Sequence, residues 1–149
     1  MMSIQTLAYL SSVVGLVIIW MLYERVGYRP ISISVPLLAP YVYLRIEILY
    51  AIIVGILVSA LLGEIFYRYL LFYGLRQFFI YNIISMLVIF ITLYTSINEE
   101  VLLLSTLPGL FAYDVHSSRN RVRTAILSAI FFTLHVTSLF ILVNILRVV

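Results

Sequence analysis

Long apolar stretches, separated by short runs of charged and turn-forming residues, make up most of the chain. Four of them are long enough to cross a hydrocarbon core about 30 Å thick, which needs about 20 residues of helix. They cover residues 4–23, 48–67, 78–97 and 124–146. Gly27 and Pro30 follow the first stretch, and both residue types favour the end of a helix. The pattern predicts an all-α polytopic membrane protein with four full transmembrane helices.

Two shorter apolar segments, each interrupted by proline, lie at matching places in the two halves of the chain. Residues 31–44 contain Pro36 and Pro40, and residues 101–113 contain Pro108 followed by Gly109. Pro36 and Pro108 are 72 residues apart in a chain of 149. Such a pair of interrupted segments points to a transport or binding site near the bilayer midplane. Each segment could be a short tilted helix, two half-helices with an unwound middle, or a re-entrant loop.

The arginines are distributed unequally among the loops. If both short segments cross the membrane, seven arginines lie on one side and two on the other, so the positive-inside rule places the seven in the cytoplasm and both termini outside. The seven are Arg25, Arg29, Arg68, Arg76, Arg119, Arg121 and Arg123. We therefore expect six crossings, with four as the alternative. Three crossings per half would make residues 1–73 and 77–149 inverted repeats within a single membrane domain, residues 1–149.

The composition agrees with burial in lipid and excludes several kinds of site. Hydrophobic residues make up 64% of the chain and charged residues 10%, with a mean hydropathy of +1.18, whereas soluble domains carry about 25% charged residues. There is no cysteine, and the two histidines are too few for a metal centre. Motifs for nucleotide binding, zinc-dependent hydrolysis and a nucleophile elbow do not occur. We therefore assign no catalytic residue, metal or cofactor to this chain.

Three charged clusters flank the predicted helices. They are Glu24 and Arg25 with Arg29, then Arg76, and then Arg119, Arg121 and Arg123. Anchoring at the cytoplasmic interface explains such clusters. However, all nine basic residues are arginine, and a guanidinium group grips a carboxylate or phosphate with two parallel hydrogen bonds. The clusters are therefore also candidate binding sites for a soluble partner or an anionic substrate.

Glu64 and His135 are the ionisable residues deepest in apolar sequence, where such groups are costly and often functional. Arg68 follows Glu64 by one helical turn, so the spacing predicts an ion pair between them. For His135 we expect a hydrogen bond to a neighbouring helix, with a proton relay as the alternative.

Four short motifs occur in a fixed order along nearly the whole chain. They are Glu24-Arg25-x-Gly27, Val35-Pro36, Tyr73-Gly74-x-Arg76 and Leu107-Pro108-Gly109-Leu110-x-Ala112. In these motifs and their spacing the chain resembles the PgsC/CapC family, the membrane subunit of the poly-γ-glutamate synthesis and capsule machinery. It departs from the family pattern at Val26, where the family has Thr, and at Leu37, where the family has Gly.

The resemblance implies a subunit without catalytic residues in the plasma membrane of a prokaryote. It implies three partners: a cytoplasmic amide ligase similar to Mur ligases, which would use ATP and Mg; a surface-exposed accessory subunit; and the polyanionic polymer, which must cross the bilayer. On this basis the chain docks the ligase and assists passage of the polymer. The alternative functions are a free-standing homo-oligomeric transporter of an ion or anionic metabolite, and a structural anchor. No nucleic-acid partner is expected.

Overall fold

A computed structural model describes residues 4–27, 30–71, 73–93 and 104–146. Within these ranges the chain is helical and forms no β-strand, which confirms the all-α prediction. The helices are α1 (Ile4–Val26), α2 (Val35–Leu44), α3 (Leu49–Leu70), α4 (Leu75–Thr92), α5 (Leu107–Ser117) and α6 (Arg121–Leu146). A single 3₁₀ turn, Ile46–Ile48, precedes α3.

Four of these helices, α1, α3, α4 and α6, are long and apolar enough to cross a membrane, which confirms the predicted number. Large apolar side chains on them are exposed, among them Trp20, Leu61 and Ile91. Such a surface suits lipid as the solvent. The chain is thus consistent with a multi-pass membrane protein. The predicted third stretch continues past Thr92 into residues 94–97, which lie outside the described ranges.

The two proline segments form short continuous helices. With 10 and 11 residues, α2 and α5 are each about 15–17 Å long, roughly half of the hydrocarbon core. Pro36 and Pro108 each occupy the second position of their helix, where proline is tolerated because its missing N–H would have no helical partner. The described segments are therefore neither unwound in the middle nor re-entrant loops without helix.

The chain divides into two compact units. Unit 1 comprises Met1–Glu47 and Ser118–Val149, and so contains α1, α2 and α6. Unit 2 comprises Ile48–Ser117 and contains α3, α4 and α5. In each unit two long helices pack with one short proline helix. Each unit thus takes two helices from one half of the chain and its third helix from the other half.

Two sets of contacts fix the helix directions in unit 1. A Cβ added to Gly15 of α1 would lie 2.6 Å from Cβ of Pro36 and 2.9 Å from Cε1 of His135 on α6. These three residues therefore lie at one level. Seven residues before His135, the Oγ of Ser128 accepts a hydrogen bond of 2.9 Å from the backbone N–H of Ser32.

These contacts make α6 antiparallel to α1. In a parallel arrangement Ser128 would lie about 27 Å along the axis from Val26, at about 1.5 Å per residue. The link from Val26 to Ser32 reaches at most about 22 Å, so it could not cover that distance. The end of α1, with Arg25, therefore lies beside the start of α6, with Arg123. We call this the arginine end of unit 1; α1 runs towards it, and α2 and α6 run away from it.

Glycine contacts give the helix directions in unit 2. Gly63 of α3 lies against the ring of Tyr81 on α4, and Gly55, two turns earlier, lies against Ile89. The order of contacts reverses along the two helices, so α3 and α4 are antiparallel. Pro108, near the start of α5, also lies against Gly55.

The last turn of α5 is level with the end of α3, because Nδ1 of His116 lies 2.9 Å from Oε2 of Glu64. α5 therefore runs parallel to α3. Both helices run towards the end of unit 2 that carries Arg68 and Arg76, which we call its arginine end, and α4 runs away from it.

Relative to its arginine end, each helix of unit 1 thus runs opposite to the helix at the matching place in unit 2. The inverted repeat of residues 1–73 and 77–149 stays a prediction.

Candidate functional site

A carboxylate at the arginine end of unit 2 has a partner on each oxygen. Nε of Arg68 donates to Oε1 of Glu64 at 2.8 Å, and Nδ1 of His116 lies 2.9 Å from Oε2. The pair with Arg68, one helical turn away, confirms the prediction from spacing. The contact with His116 on α5 was not predicted, because the sequence gives no local signal for a pair that is 52 residues apart.

Aromatic rings enclose the imidazole of His116. The ring centroid of Tyr67 lies 4.7 Å from that of His116 in an edge-to-face arrangement, and the centroid of Tyr81 lies at 5.8 Å. Tyr113 of α5 contacts Tyr81 in turn, with centroids 6.2 Å apart. The side chain of His116 is only 9% exposed and that of Glu64 is 26% exposed. Partial removal from water strengthens their electrostatic contact.

Two glycines bring the helices of unit 2 close enough to form this enclosure. A Cβ on Gly63 would overlap the ring of Tyr81, and a Cβ on Gly109 would overlap the backbone carbonyl of Tyr81 and lie 2.8 Å from Cα of Asn82. Small residues permit such close helix contacts in membrane proteins, where packing rather than the hydrophobic effect drives association. The glycines thus set the position of Tyr81 beside His116.

Gln77 on α4 is a buried amide at the same level of the unit. Its side chain is 7% exposed, and its Nε2 has no hydrogen-bond partner in the described part of the chain. It precedes Tyr81 by one turn and so shares its face of α4. Since α3 and α4 are antiparallel and Gly63 is level with Tyr81, Gln77 is level with Tyr67. Gln77 is therefore buried at the level of Tyr67, which contacts His116.

We call this group of residues the Glu64 cluster. It consists of Glu64, Tyr67, Arg68, Gln77, Tyr81 and His116. In this cluster the carboxylate of Glu64 contacts a guanidinium and an imidazole, and a buried amide N–H of Gln77 has no hydrogen-bond partner among the described residues. An unsatisfied buried donor costs about 1–3 kcal/mol. Sequence reasoning found Glu64 and missed Gln77, His116 and the buried Asp114 of α5.

Serine hydroxyls form hydrogen bonds in the polar interior of unit 1. Besides the bond from Ser32 to Ser128, the hydroxyls of Ser32 and Ser34 lie 2.9 Å apart. His135 is buried at 9% exposure against Gly15. Its Nε2 has no hydrogen-bond partner among the described residues, so the expected interhelical bond is not made by this atom.

The remaining predicted site residues fall into two groups. The proline-segment residues Pro36, Pro40, Pro108 and Gly109 are buried in their units. The charged residues Glu24, Arg25, Arg76, Arg119, Arg121 and Arg123 are exposed at helix ends. Arg29 lies outside the described ranges. A groove of about 350 Å³ at the start of α6 is lined by Asn120 and Arg123 with apolar side chains of the same helix.

No family model matches this chain, and no curated protein or solved structure is similar to it. The resemblance to the PgsC/CapC family therefore depends on the sequence motifs alone.

Proposed function

We propose that this chain is the membrane subunit of a poly-γ-glutamate synthase and export complex in a prokaryotic plasma membrane. It docks a cytoplasmic ATP-dependent amide ligase and assists passage of the anionic polymer. The proposal starts from the family resemblance of the motifs. Its main structural support is the exposure of guanidinium groups at helix ends.

These guanidinium groups suit a polyanion and an acidic partner surface. Arg25 lies in the last turn of α1, Arg76 in the first turn of α4, and Arg123 in the first turn of α6, and all three are exposed. Arg68 at the end of α3 keeps 69% of its side-chain surface exposed although it is paired with Glu64. Arginines at such positions are accessible to ligands that approach from water. They can bind carboxylates through two hydrogen bonds.

The Glu64 cluster favours a second candidate function, a free-standing transporter of an anionic metabolite. Arg68 and His116, which lie within one unit, can bind a carboxylate of a small ligand as well as one of a polymer. This candidate has no need of a ligase. The two functions therefore differ in the partners that they require.

Purification from the native host in mild detergent, followed by mass spectrometry of the bound proteins, tests the proposal. We expect a Mur-ligase-like ATPase and a surface-exposed accessory subunit to remain bound. Recovery of the chain alone, as a discrete homo-oligomer that moves an anionic metabolite in vesicles, would overturn the proposal in favour of the transporter.

Two substitutions test the role of the arginines. Arg76→Ala and Arg121→Ala should reduce ligase recovery and polymer export, because each removes an exposed cation from a helix end. Arg45→Ala is the control, since Arg45 is an exposed arginine that directly follows the last residue of the short helix α2. If both test variants retained full recovery and export, docking at these arginines would be wrong.

A further inference from the structure

We propose that the Glu64 cluster is a carboxylate-binding site in which Arg68, His116 and Gln77 are the donors and Glu64 is an internal competitor of the ligand. The site follows from the contacts within unit 2. Only the identification of its natural ligand as a carboxylate of poly-γ-glutamate rests on the proposed function.

The structure already contains one carboxylate bound in the way that the proposal requires. Arg68 and His116 approach different oxygens of Glu64 from different helices, α3 and α5, at 2.8 and 2.9 Å. Two donors that converge on two oxygens from separate helices form a preorganised site for a carboxylate. A ligand carboxylate of the same size can replace that of Glu64 if the side chain of Glu64 turns away.

Gln77 supplies the observation that points to a ligand rather than to a closed ion pair. Its Nε2 is buried and has no hydrogen-bond partner among the described residues, although buried amides in proteins are almost always bonded. Glu64 and its two partners leave this donor unused. An arriving carboxylate or amide carbonyl would satisfy it, and both groups occur in every residue of a γ-linked glutamate polymer.

The surroundings define how a ligand reaches the site. Arg68 is 69% exposed and lies at the end of its helix, so the ligand enters from the water at the arginine end. Tyr67 and Tyr81 close the inner side around His116, whose side chain is 9% exposed.

Because Glu64 is negatively charged, removing its charge should tighten ligand binding rather than weaken it. A ligand carboxylate must compete with the side chain of Glu64 for the same donors. Glu64→Gln removes this competition and should tighten binding by about tenfold, which corresponds to about 1.4 kcal/mol. If Glu64 were only a structural partner of His116, the same substitution would loosen unit 2 and leave binding weaker or unchanged.

The test measures binding of two probes to the purified full-length chain in lipid nanodiscs by isothermal titration calorimetry. The probes are a short γ-linked oligoglutamate and free glutamate. Arg68→Gln and Gln77→Leu should each weaken binding about tenfold, while Glu64→Gln should tighten it. Gln77→Leu should also raise the thermal stability of the chain, because it removes an unsatisfied buried donor, so weaker binding by this variant is not a result of unfolding.

Matched controls separate the site from general charge effects. Arg45→Gln removes an exposed arginine of unit 1, and Asn144→Leu removes an exposed amide of α6; neither should change binding. Glu64→Asp keeps the charge and should bind more weakly than Glu64→Gln. The proposal is overturned if Glu64→Gln does not tighten binding, or if Gln77→Leu binds as the native chain does.

The two probes distinguish the source of the carboxylate. Tighter binding of the oligoglutamate, with the expected response to the variants, supports both the site and the proposed function. Binding of free glutamate alone, with the same response, supports the site and contradicts the polymer as its ligand. Loss of the response to the variants, while the ligase still co-purifies, overturns the site and leaves the proposed function in place.

Discussion

The two units share a plan and differ in the residue that follows the proline of the short helix. In unit 2, Gly109 lets the start of α5 lie directly against the backbone of α4 at Tyr81. Leu37, 72 residues earlier, occupies the matching place in α2 of unit 1 and is half-buried. Proline is the second residue of both short helices, and in unit 2 the glycine after it permits the contact with α4.

The glycine and the ring that pack together come from different helices in the two units. In unit 1, Gly15 on α1 faces His135 on α6, whereas in unit 2, Gly63 on α3 faces Tyr81 on α4. Gly63 and His135 are 72 residues apart and so occupy matching positions, whereas Gly15 matches Leu87 and Tyr81 matches Tyr9. Both units therefore contain a contact between a glycine and a ring, but the helices that supply the two residues do not correspond.

This difference separates two roles for buried polar groups. Unit 1 uses serine hydroxyls, which bond to the backbone and join its helices. Unit 2 holds charged groups, Glu64 and Arg68, beside the imidazole of His116. Neutral hydroxyls lose little on leaving water when they are bonded, whereas charges cost much more. The two units therefore differ in the cost of their polar groups, which is higher for the charged groups of unit 2.

The largest expected effect comes from adding a side chain at Gly109, where α5 lies against the backbone of α4. Gly109→Ala places a methyl group against the backbone of α4, which cannot move aside as a flexible side chain can. We expect a loss of about 3 kcal/mol in the free energy of unfolding, the upper part of the range for overpacked cores. Thermal unfolding in detergent measures it. Leu37→Met, a volume-conserving change at the matching place, should cost less than about 1.5 kcal/mol.

An outcome in which Gly109→Ala unfolds within about 0.5 kcal/mol of the native chain would contradict the close approach of α5 to α4.

The four long helices could be predicted from the sequence because lipid imposes one requirement on any spanning segment. Each must be apolar over about 20 residues, whatever it packs against. The grouping of the helices could not be predicted, since neighbours in sequence usually pack together. Here α3 packs with α4 and α5, whereas α1 and α2 pack with α6. That choice depends on contacts such as Gly63 with Tyr81, which no local pattern indicates.

The site was predictable only where its contacts are local. Glu64 and Arg68 are one turn apart, and the spacing alone predicts their pair. His116 comes from another helix, and its meeting with Glu64 depends on how far α5 extends beyond Pro108. Gln77 follows a turn and resembles an interfacial anchor in sequence. Its burial results from the packing of α4 against α3 in three dimensions.

A smaller loss of stability is expected from breaking two serine hydrogen bonds, each of which joins a long helix to the segment just before a short helix. Ser128 accepts from the backbone N–H of Ser32 in unit 1, while Ser85 donates to the carbonyl of Ser105 in unit 2. Ser128→Ala should cost about 1–3 kcal/mol, because it leaves a buried N–H without this acceptor. Ser85→Ala should cost about 1 kcal/mol, since a carbonyl that lacks one donor is better tolerated.

Thermal unfolding of the two serine variants, with the exposed Thr133→Ala as the control, measures this difference. A larger loss for Ser85→Ala than for Ser128→Ala would show that the hydroxyl bond in unit 2 is the more important of the two.

The smallest expected effect concerns the residues that end the helices at the arginine ends. α1 of unit 1 ends with Gly27 at φ 72°, a conformation that glycine adopts without strain. α3 of unit 2 ends with Leu71 at φ 51°, where a side chain costs about 1 kcal/mol. Leu71→Gly should therefore stabilise the chain by up to about 1 kcal/mol, and Gly27→Ala should destabilise it by a similar amount. Opposite shifts in the unfolding temperature would confirm this; a loss of stability in both variants would show that Leu71 makes contacts at the helix end that outweigh its backbone strain.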